Sequence, residues 1–90
     1  MQADNEKIKR RLNIARGQLE GVIKMIDNDR YCIDVSNQIM AIISLLKNVN
    51  KDVLTAHLHS CVETALESDD EALISQKLDE IADVINQLSK

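Results

Sequence analysis

The sequence predicts an all-α protein, and three features indicate this class. The chain of 90 residues contains no proline and only two glycines, so almost nothing in it interrupts a helix. Its apolar residues recur at alternating steps of four and three, which is the spacing of one face of an α-helix. It has one aromatic residue, Tyr31, so its core must be built from aliphatic side chains, as in helical bundles. We expect residues 1–90 to form a single domain.

The first helix is expected to run from about Asp4 to Asp27. Asp4 or Asn5 can cap its start with a side-chain oxygen, and the turn-forming residues 27–30 end it. Its apolar side chains form one seam at helical spacing, which consists of Ile8, Leu12, Ala15, Leu19, Val22 and Ile26.

A long central helix is expected over residues 31–67, because no glycine or proline interrupts this stretch. Its seam consists of Val35, Ile39, Ile42, Leu46, Val49, Val53 and Ala56. At 1.5 Å per residue it would be roughly 50 Å long. This length is unusual for a small monomer and indicates packing against more than its own chain.

A third helix follows a predicted capping box. In that motif Ser68 is the N-cap and Glu71, three residues later, returns a hydrogen bond to it. The apolar seam of this helix consists of Ile74, Leu78, Ile81, Ile85 and Leu88.

Charge is distributed unevenly along the chain, whose net charge is −4. Residues 7–24 contain six basic side chains and one acidic one, whereas residues 61–90 contain two basic and eight acidic ones. The first helix is therefore basic and the last acidic. No apolar run approaches the roughly 20 residues that span a bilayer, and the N-terminus has no apolar signal core. We expect a cytoplasmic protein with no membrane partner.

The two cysteines, Cys32 and Cys61, are too far apart to meet within one chain. They would be separated by about 43 Å on a straight helix at 1.5 Å per residue. If two copies of the central helix pair antiparallel with Cys32 opposite Cys61, the helices cross near Leu46, close to the middle of the helix. An antiparallel homodimer would therefore bring Cys32 of one chain to Cys61 of the other, twice.

His57 precedes Cys61 by one helical turn and lies on the same face. His59 points about 200° away from His57 and should not belong to the same site. Two thiolates and one imidazole form a soft donor set that suits Cu(I), and accepts Zn(II) with water as a fourth ligand. Buried packing of the cysteines and a thiol redox site are the alternatives that spacing leaves open. An enzyme is disfavoured, because the chain has few loops from which to build a catalytic pocket.

Two stretches resemble a known family. They are "RLNIARGQLEGVIKMIDNDRYCIDVSNQIMAI", residues 11–42, and "HLHSCV", residues 57–62. The chain resembles the copper-sensing repressors of the CsoR type, within the CsoR/RcnR-like family. The resemblance implies a three-helix protomer with a long central helix, an antiparallel four-helix-bundle dimer and a dimer of dimers. It also implies binding to double-stranded operator DNA, and release of that DNA when Cu(I) binds, so that copper efflux genes are expressed.

The resemblance also assigns the sensor residues. Cys32, His57 and Cys61 match the Cu(I) ligands of the copper branch, and Tyr31 matches a tyrosine beside them. The glutamate of that branch falls at about Gln76 or Lys77, with Glu80 about a turn away; Glu80 is our candidate for its role.

Other branches of the family fit less well. The nickel and cobalt branch has histidine at the position of Cys61, and the formaldehyde branch has an N-terminal proline. The persulfide branch keeps both cysteines and typically lacks the histidine, so His57 favours copper. Persulfide sensing without a metal, through a Cys32–Cys61 di- or polysulfide crosslink between chains, stays the alternative.

DNA contacts in this family come from basic residues rather than from a helix-turn-helix. Such residues position the duplex through its phosphates. The candidates are Lys7, Lys9, Arg10, Arg11, Arg16 and Gln18 on the first helix, with Lys47 and Lys51 on the second.

Overall fold

A computed structural model describes residues 1–89 and confirms the all-α fold class. Within these residues the chain forms three helices and no strand. They are α1 (Asn5–Asp27), α2 (Cys32–Ser68) and α3 (Glu71–Ser89). None of the described helices is both long enough and apolar enough to cross a membrane.

The ends of α1 are fixed by side-chain and backbone hydrogen bonds. The Asp4 carboxylate accepts a hydrogen bond from the Lys7 amide at 3.3 Å, so Asp4 is the N-cap, as the sequence predicts. At the other end Asp29 has a positive φ of 52°. The Arg30 amide donates to the carbonyl of Met25 at 3.0 Å, which closes a Schellman turn.

The central helix α2 spans 37 residues, within one residue of the predicted boundaries at each end. Its first turn begins where the Val35 amide donates to the Tyr31 carbonyl at 3.2 Å. It ends at Ser68, after which Asp69 adopts a positive φ of 55°.

The predicted capping box at Ser68 is wrong. Ser68 is the last residue of α2, and its hydroxyl donates to the Ala65 carbonyl at 2.6 Å. The cap of α3 is Asp70, whose carboxylate accepts from the amides of Ala72 at 3.0 Å and Leu73 at 3.4 Å. Because Ser68 lies within α2, the free amides at the start of α3 are bound by the next suitable side chain, that of Asp70.

The described chain forms two compact units, and the first comprises residues 4–50. Its buried side chains recur every seven residues on each helix: Ile8 and Ala15 on α1, and Val35, Ile42 and Val49 on α2. The alternate positions of both predicted seams are exposed: Leu12, Leu19, Ile26, Ile39 and Leu46, at 41–62% of their surface. This unit therefore buries only half of each apolar seam.

The second unit comprises residues 1–3 and the chain from Lys51 onward. Ala65 is its buried residue, with Val62, Ile74 and Ile81 half-buried around it. This packing holds α3 against the C-terminal part of α2 and sets which α3 side chains face His57.

Candidate metal centre

The candidate centre begins with a histidine and a cysteine one turn apart on α2. Nε2 of His57 lies 3.4 Å from Sγ of Cys61. The side chains share a face because they are four residues apart, as the sequence predicts. Both thiols of the chain are free, and that of Cys61 is half-buried.

A third side chain, Glu80, reaches this pair from α3. Its Oε1 atom lies 2.9 Å from Nε2 of His57. Ligand atoms of His57, Cys61 and Glu80 all lie within 4.8 Å of one another, which is close enough to hold one metal ion. The family resemblance placed the glutamate at Gln76 or Lys77; in the structure it is Glu80 that hydrogen-bonds His57.

Lys77 holds the other side of the Glu80 carboxylate. Its Nζ lies 3.3 Å from Oε2, and both side chains are largely shielded from solvent, at 27% and 35% exposure. The hydrogen bond from His57 lowers the pKa of Glu80 most, and that from Lys77 lowers it further, against a smaller opposing effect of burial. Glu80 is thus an ionised carboxylate with one oxygen directed at each partner. Sequence reasoning gave Lys77 no such role, although its spacing of three residues from Glu80 on one helix is a signal for the pair.

An open cavity of about 400 Å³ lies beside His57 and Cys61. Ser60, Thr64 and Leu73 line it together with His57, Cys61 and Lys77. There is consequently room for a further ligand next to His57 and Cys61.

Cys32 and Tyr31 stand at the N-terminal end of α2. Cys32 is exposed, and Tyr31 is 68% exposed. Cys32 lines a separate open cavity of about 280 Å³ with Ile26, Asp29 and Val35 among its neighbours. Among the described residues, the donor cluster consists of His57, Cys61 and Glu80 and does not include Cys32.

His59 is engaged elsewhere. Its Nδ1 atom lies 3.4 Å from Oε1 of Glu63, and both side chains are more than 60% exposed. It takes no part in the cluster around His57, as its angular position on the helix predicts.

The side chains expected to contact DNA lie on the surface of the helices. Arg11 is half-buried; the others are exposed, and they are Lys7, Lys9, Arg10, Arg16, Gln18, Lys47 and Lys51.

Comparison with known proteins identifies the family. The sequence profile of the family described as "metal-sensitive transcriptional repressor" matches residues 4–87. The copper-sensing transcriptional repressor CsoR of Bacillus subtilis is 37% identical over 87 residues, which are 97% of this chain and 83% of that protein.

Two solved structures are similar to the whole fold. The crystal structure of the copper-sensing repressor CsoR with Cu(I) from Geobacillus thermodenitrificans aligns with a TM-score of 0.78 and 41% identity, covering 94% of this chain and 85% of that one. The nickel-responsive transcriptional regulator InrS aligns with a TM-score of 0.82 and 27% identity, covering 98% and 96%. These relatives regulate transcription and are not enzymes, in agreement with the sequence analysis. The chain belongs to the family of metal-sensitive transcriptional repressors.

Proposed function

We propose that this protein is a copper-responsive repressor of the cytoplasm. In this proposal the metal-free oligomer holds operator DNA, and Cu(I) releases it by joining Cys32 of one chain to His57 and Cys61 of another. Genes for copper efflux are then expressed. The observation that carries the proposal is that the His57 ring and the Cys61 thiol lie side by side, with Nε2 3.4 Å from Sγ, so that two of the three ligand side chains are already adjacent.

The chemistry of the donors supports Cu(I). Thiolate sulfur is a soft ligand that selects Cu(I), and imidazole is compatible with it. The relatives from Bacillus and Geobacillus are named as copper sensors, and the Geobacillus structure holds Cu(I). Bound Cu(I) would link Cys32 of one chain to the adjacent His57 and Cys61 of another.

The third ligand is expected from another chain, because Cys32 and Cys61 lie near opposite ends of one helix, α2. Antiparallel pairing of two α2 helices would cross near Leu46, whose side chain is 41% exposed in the single chain. Ile39, on the same seam, is 43% exposed. These exposed apolar side chains support a homodimer through α2; a tetramer built from two such dimers rests on the family resemblance.

Glu80 is proposed to orient the sensor histidine. Its ionised carboxylate accepts a hydrogen bond from the Nε2–H group of His57, which leaves the lone pair of the neutral ring on Nδ1. A carboxylate in this position fixes the tautomer and the orientation of a ligating imidazole. The same hydrogen bond joins the C-terminal part of α2 to α3. A movement of His57 would therefore shift both helices.

DNA binding is proposed to use the basic side chains of α1, with Lys47 and Lys51 of α2. Their contacts with phosphates would position the duplex without reading its sequence. Displacement of these side chains relative to the duplex would weaken the complex. A coupling of about 1–3 kcal/mol per site is enough, because several sites act on one oligomer.

The test is the anisotropy of a labelled operator duplex bound to the reduced protein under anaerobic conditions. We expect release at about one Cu(I) per chain, loss of that response in His57→Ala, and a normal response in His59→Ala. His59 is the matched control because it lies two residues away and bonds Glu63 instead. Release of DNA by Cu(I) from the His57→Ala protein would contradict the proposed ligand set.

A second candidate is a persulfide sensor, which the two free thiols favour. The Cys32 thiolate would attack a low-molecular-weight persulfide, taking its terminal sulfur and releasing a thiolate. The Cys61 thiolate of another chain would then attack the Cys32 persulfide, form a disulfide and release hydrosulfide. Crosslinked chains in mass spectra, with DNA release unchanged in His57→Ala, would establish this function in place of copper sensing.

A further inference from the structure

We propose that His57, Cys61 and Glu80 of one chain form a zinc(II) site that needs no ligand from a partner. The site shares two residues with the proposed Cu(I) centre but differs in the third: a carboxylate of the same chain replaces the thiolate of another. The metal that binds therefore decides whether two chains become linked.

The three ligand atoms lie within 4.8 Å of one another, and two of their distances can be compared with the edges of a tetrahedral zinc site. Zinc bonds of about 2.3 Å to sulfur and about 2.0–2.1 Å to nitrogen and oxygen give tetrahedral edges of about 3.6 Å for N···S and about 3.4 Å for N···O. The observed distances are 3.4 Å from Nε2 to Sγ of Cys61 and 2.9 Å from Nε2 to Oε1 of Glu80. Oε1 needs to retreat by only about 0.5 Å to reach the tetrahedral edge.

Charge and donor hardness favour Zn(II) over Cu(I) at this set of ligands. One thiolate and one carboxylate neutralise a divalent ion, and the imidazole is neutral. Carboxylate oxygen is a hard ligand that zinc accepts, whereas Cu(I) prefers sulfur. When zinc occupies Nε2, the ring carries its proton on Nδ1, the reverse of the tautomer that the hydrogen bond to Glu80 favours in the free protein.

The surroundings complete the site. Nζ of Lys77 lies 3.3 Å from Oε2 of Glu80, so Oε1, which faces His57, is the oxygen placed to bind an ion that replaces the Nε2 proton. The open cavity of about 400 Å³ beside His57 and Cys61 offers space for a water as the fourth ligand. Zinc with three protein ligands and one water is an established coordination.

The consequence for regulation rests on the proposed copper function. A zinc-filled site leaves Cys32 of the other chain free, so zinc occupancy makes no link between chains and does not release DNA. Zinc instead competes with Cu(I) for His57 and Cys61. When free zinc is present at ten times the dissociation constant of the zinc site, the Cu(I) concentration needed to release DNA rises by about tenfold.

The experiment measures Zn(II) affinity of the reduced full-length protein, without DNA, by competition with a chromophoric chelator. Co(II) serves as a spectroscopic substitute, because a bound thiolate gives it a charge-transfer absorption. We expect Cys32→Ser to bind Zn(II) as the unaltered protein does and Glu80→Gln to bind it at least tenfold more weakly. Asp79→Asn, with the same change of charge one residue away, is the control and should be unchanged.

Two outcomes would overturn the inference. One is a loss of Zn(II) affinity in Cys32→Ser as large as that in Cys61→Ser, which would place the zinc ligands on two chains. The other is normal Zn(II) binding by Glu80→Gln. Helicity measured by circular dichroism shows whether each variant is folded. Because no DNA and no Cu(I) are used, failure of copper-driven release would leave this result unaffected.

Discussion

Mixing two inactive variants tests directly whether the Cu(I) site lies between chains. Cys32→Ser and Cys61→Ser should each abolish tight Cu(I) binding, since each removes one thiolate from every site. In an antiparallel dimer made of one chain of each kind, one site has lost both cysteines. The other retains Cys32 from one chain and Cys61 from its partner, so it is intact.

The capacity expected after mixing follows from the geometry of a twofold dimer, in which each residue pair occurs twice. Random pairing of equal amounts gives about half mixed dimers, and each mixed dimer has one intact site of two. The mixture should therefore bind about one quarter of the Cu(I) that the unaltered protein binds with high affinity.

The assay unfolds the two reduced variants together, refolds them anaerobically, and titrates Cu(I) against a chromophoric chelator. The same variants refolded separately and then assayed are the control, and each should show no tight binding. An intrachain site needs both cysteines on one polypeptide, so it would give no recovery at all. Absence of recovery in a mixture shown by mass spectrometry to contain mixed dimers would refute the intersubunit arrangement.

Three further predictions address the oligomer, the DNA contacts and the charge at Glu80. Leu46→Asp should convert the protein to monomers in analytical ultracentrifugation, because it places a charge where the α2 helices are expected to cross; Ile14→Asp, at an exposed apolar position off the seam, should not. In a plot of the logarithm of DNA affinity against the logarithm of salt concentration, Arg16→Gln should make the slope shallower by about 0.9 for each phosphate that the arginine neutralises. Lys24→Gln is the control and should leave the slope unchanged. The pKa of Glu80 is held below its ordinary value of 4.5, so the ionised carboxylate stabilises the fold above that pH and ceases to do so as the pH falls through the lower folded-state pKa. The melting temperature of the unaltered protein should therefore fall towards that of Glu80→Gln in that acidic range, and a constant difference would argue against the role of Glu80.

The helices could be read from the sequence because their boundaries depend on local chemistry. Asp4 caps α1 as expected, and the polar turn after Asp27 ends it. The predicted cap of α3 is wrong because two neighbouring side chains could serve as its cap. Ser68 bonds back to Ala65, and Asp70 takes the free amides instead. The choice between them depends on how the turn folds, which a capping motif alone does not specify.

Helical spacing alone predicts the part of the site whose residues lie on one helix. A spacing of four places His57 beside Cys61 whatever the rest of the chain does. The hydrogen bond between Glu80 and His57 depends on how α3 is rotated and shifted along α2. The rotation and shift of α3 are set by the turn at residues 69–70 and by the packing around Ala65. The periodicity of the sequence does not specify either of them to within one helical turn. The family resemblance places the glutamate at about Gln76 or Lys77, with Glu80, our candidate for its role, about a turn away.

The exposed half of each apolar seam connects folding to sensing. Within residues 4–50, one row of seam residues is buried while the row containing Leu46 is left at the surface. Covering that row with a second α2 helix would remove apolar surface from water. This burial is the dominant favourable contribution to the free energy of association. In the antiparallel register proposed here, the same pairing carries Cys32 towards His57 and Cys61 of the partner. A substitution that weakens the dimer should therefore also weaken Cu(I) binding, whereas the zinc site proposed above should persist in the monomer, because all its protein ligands belong to one chain.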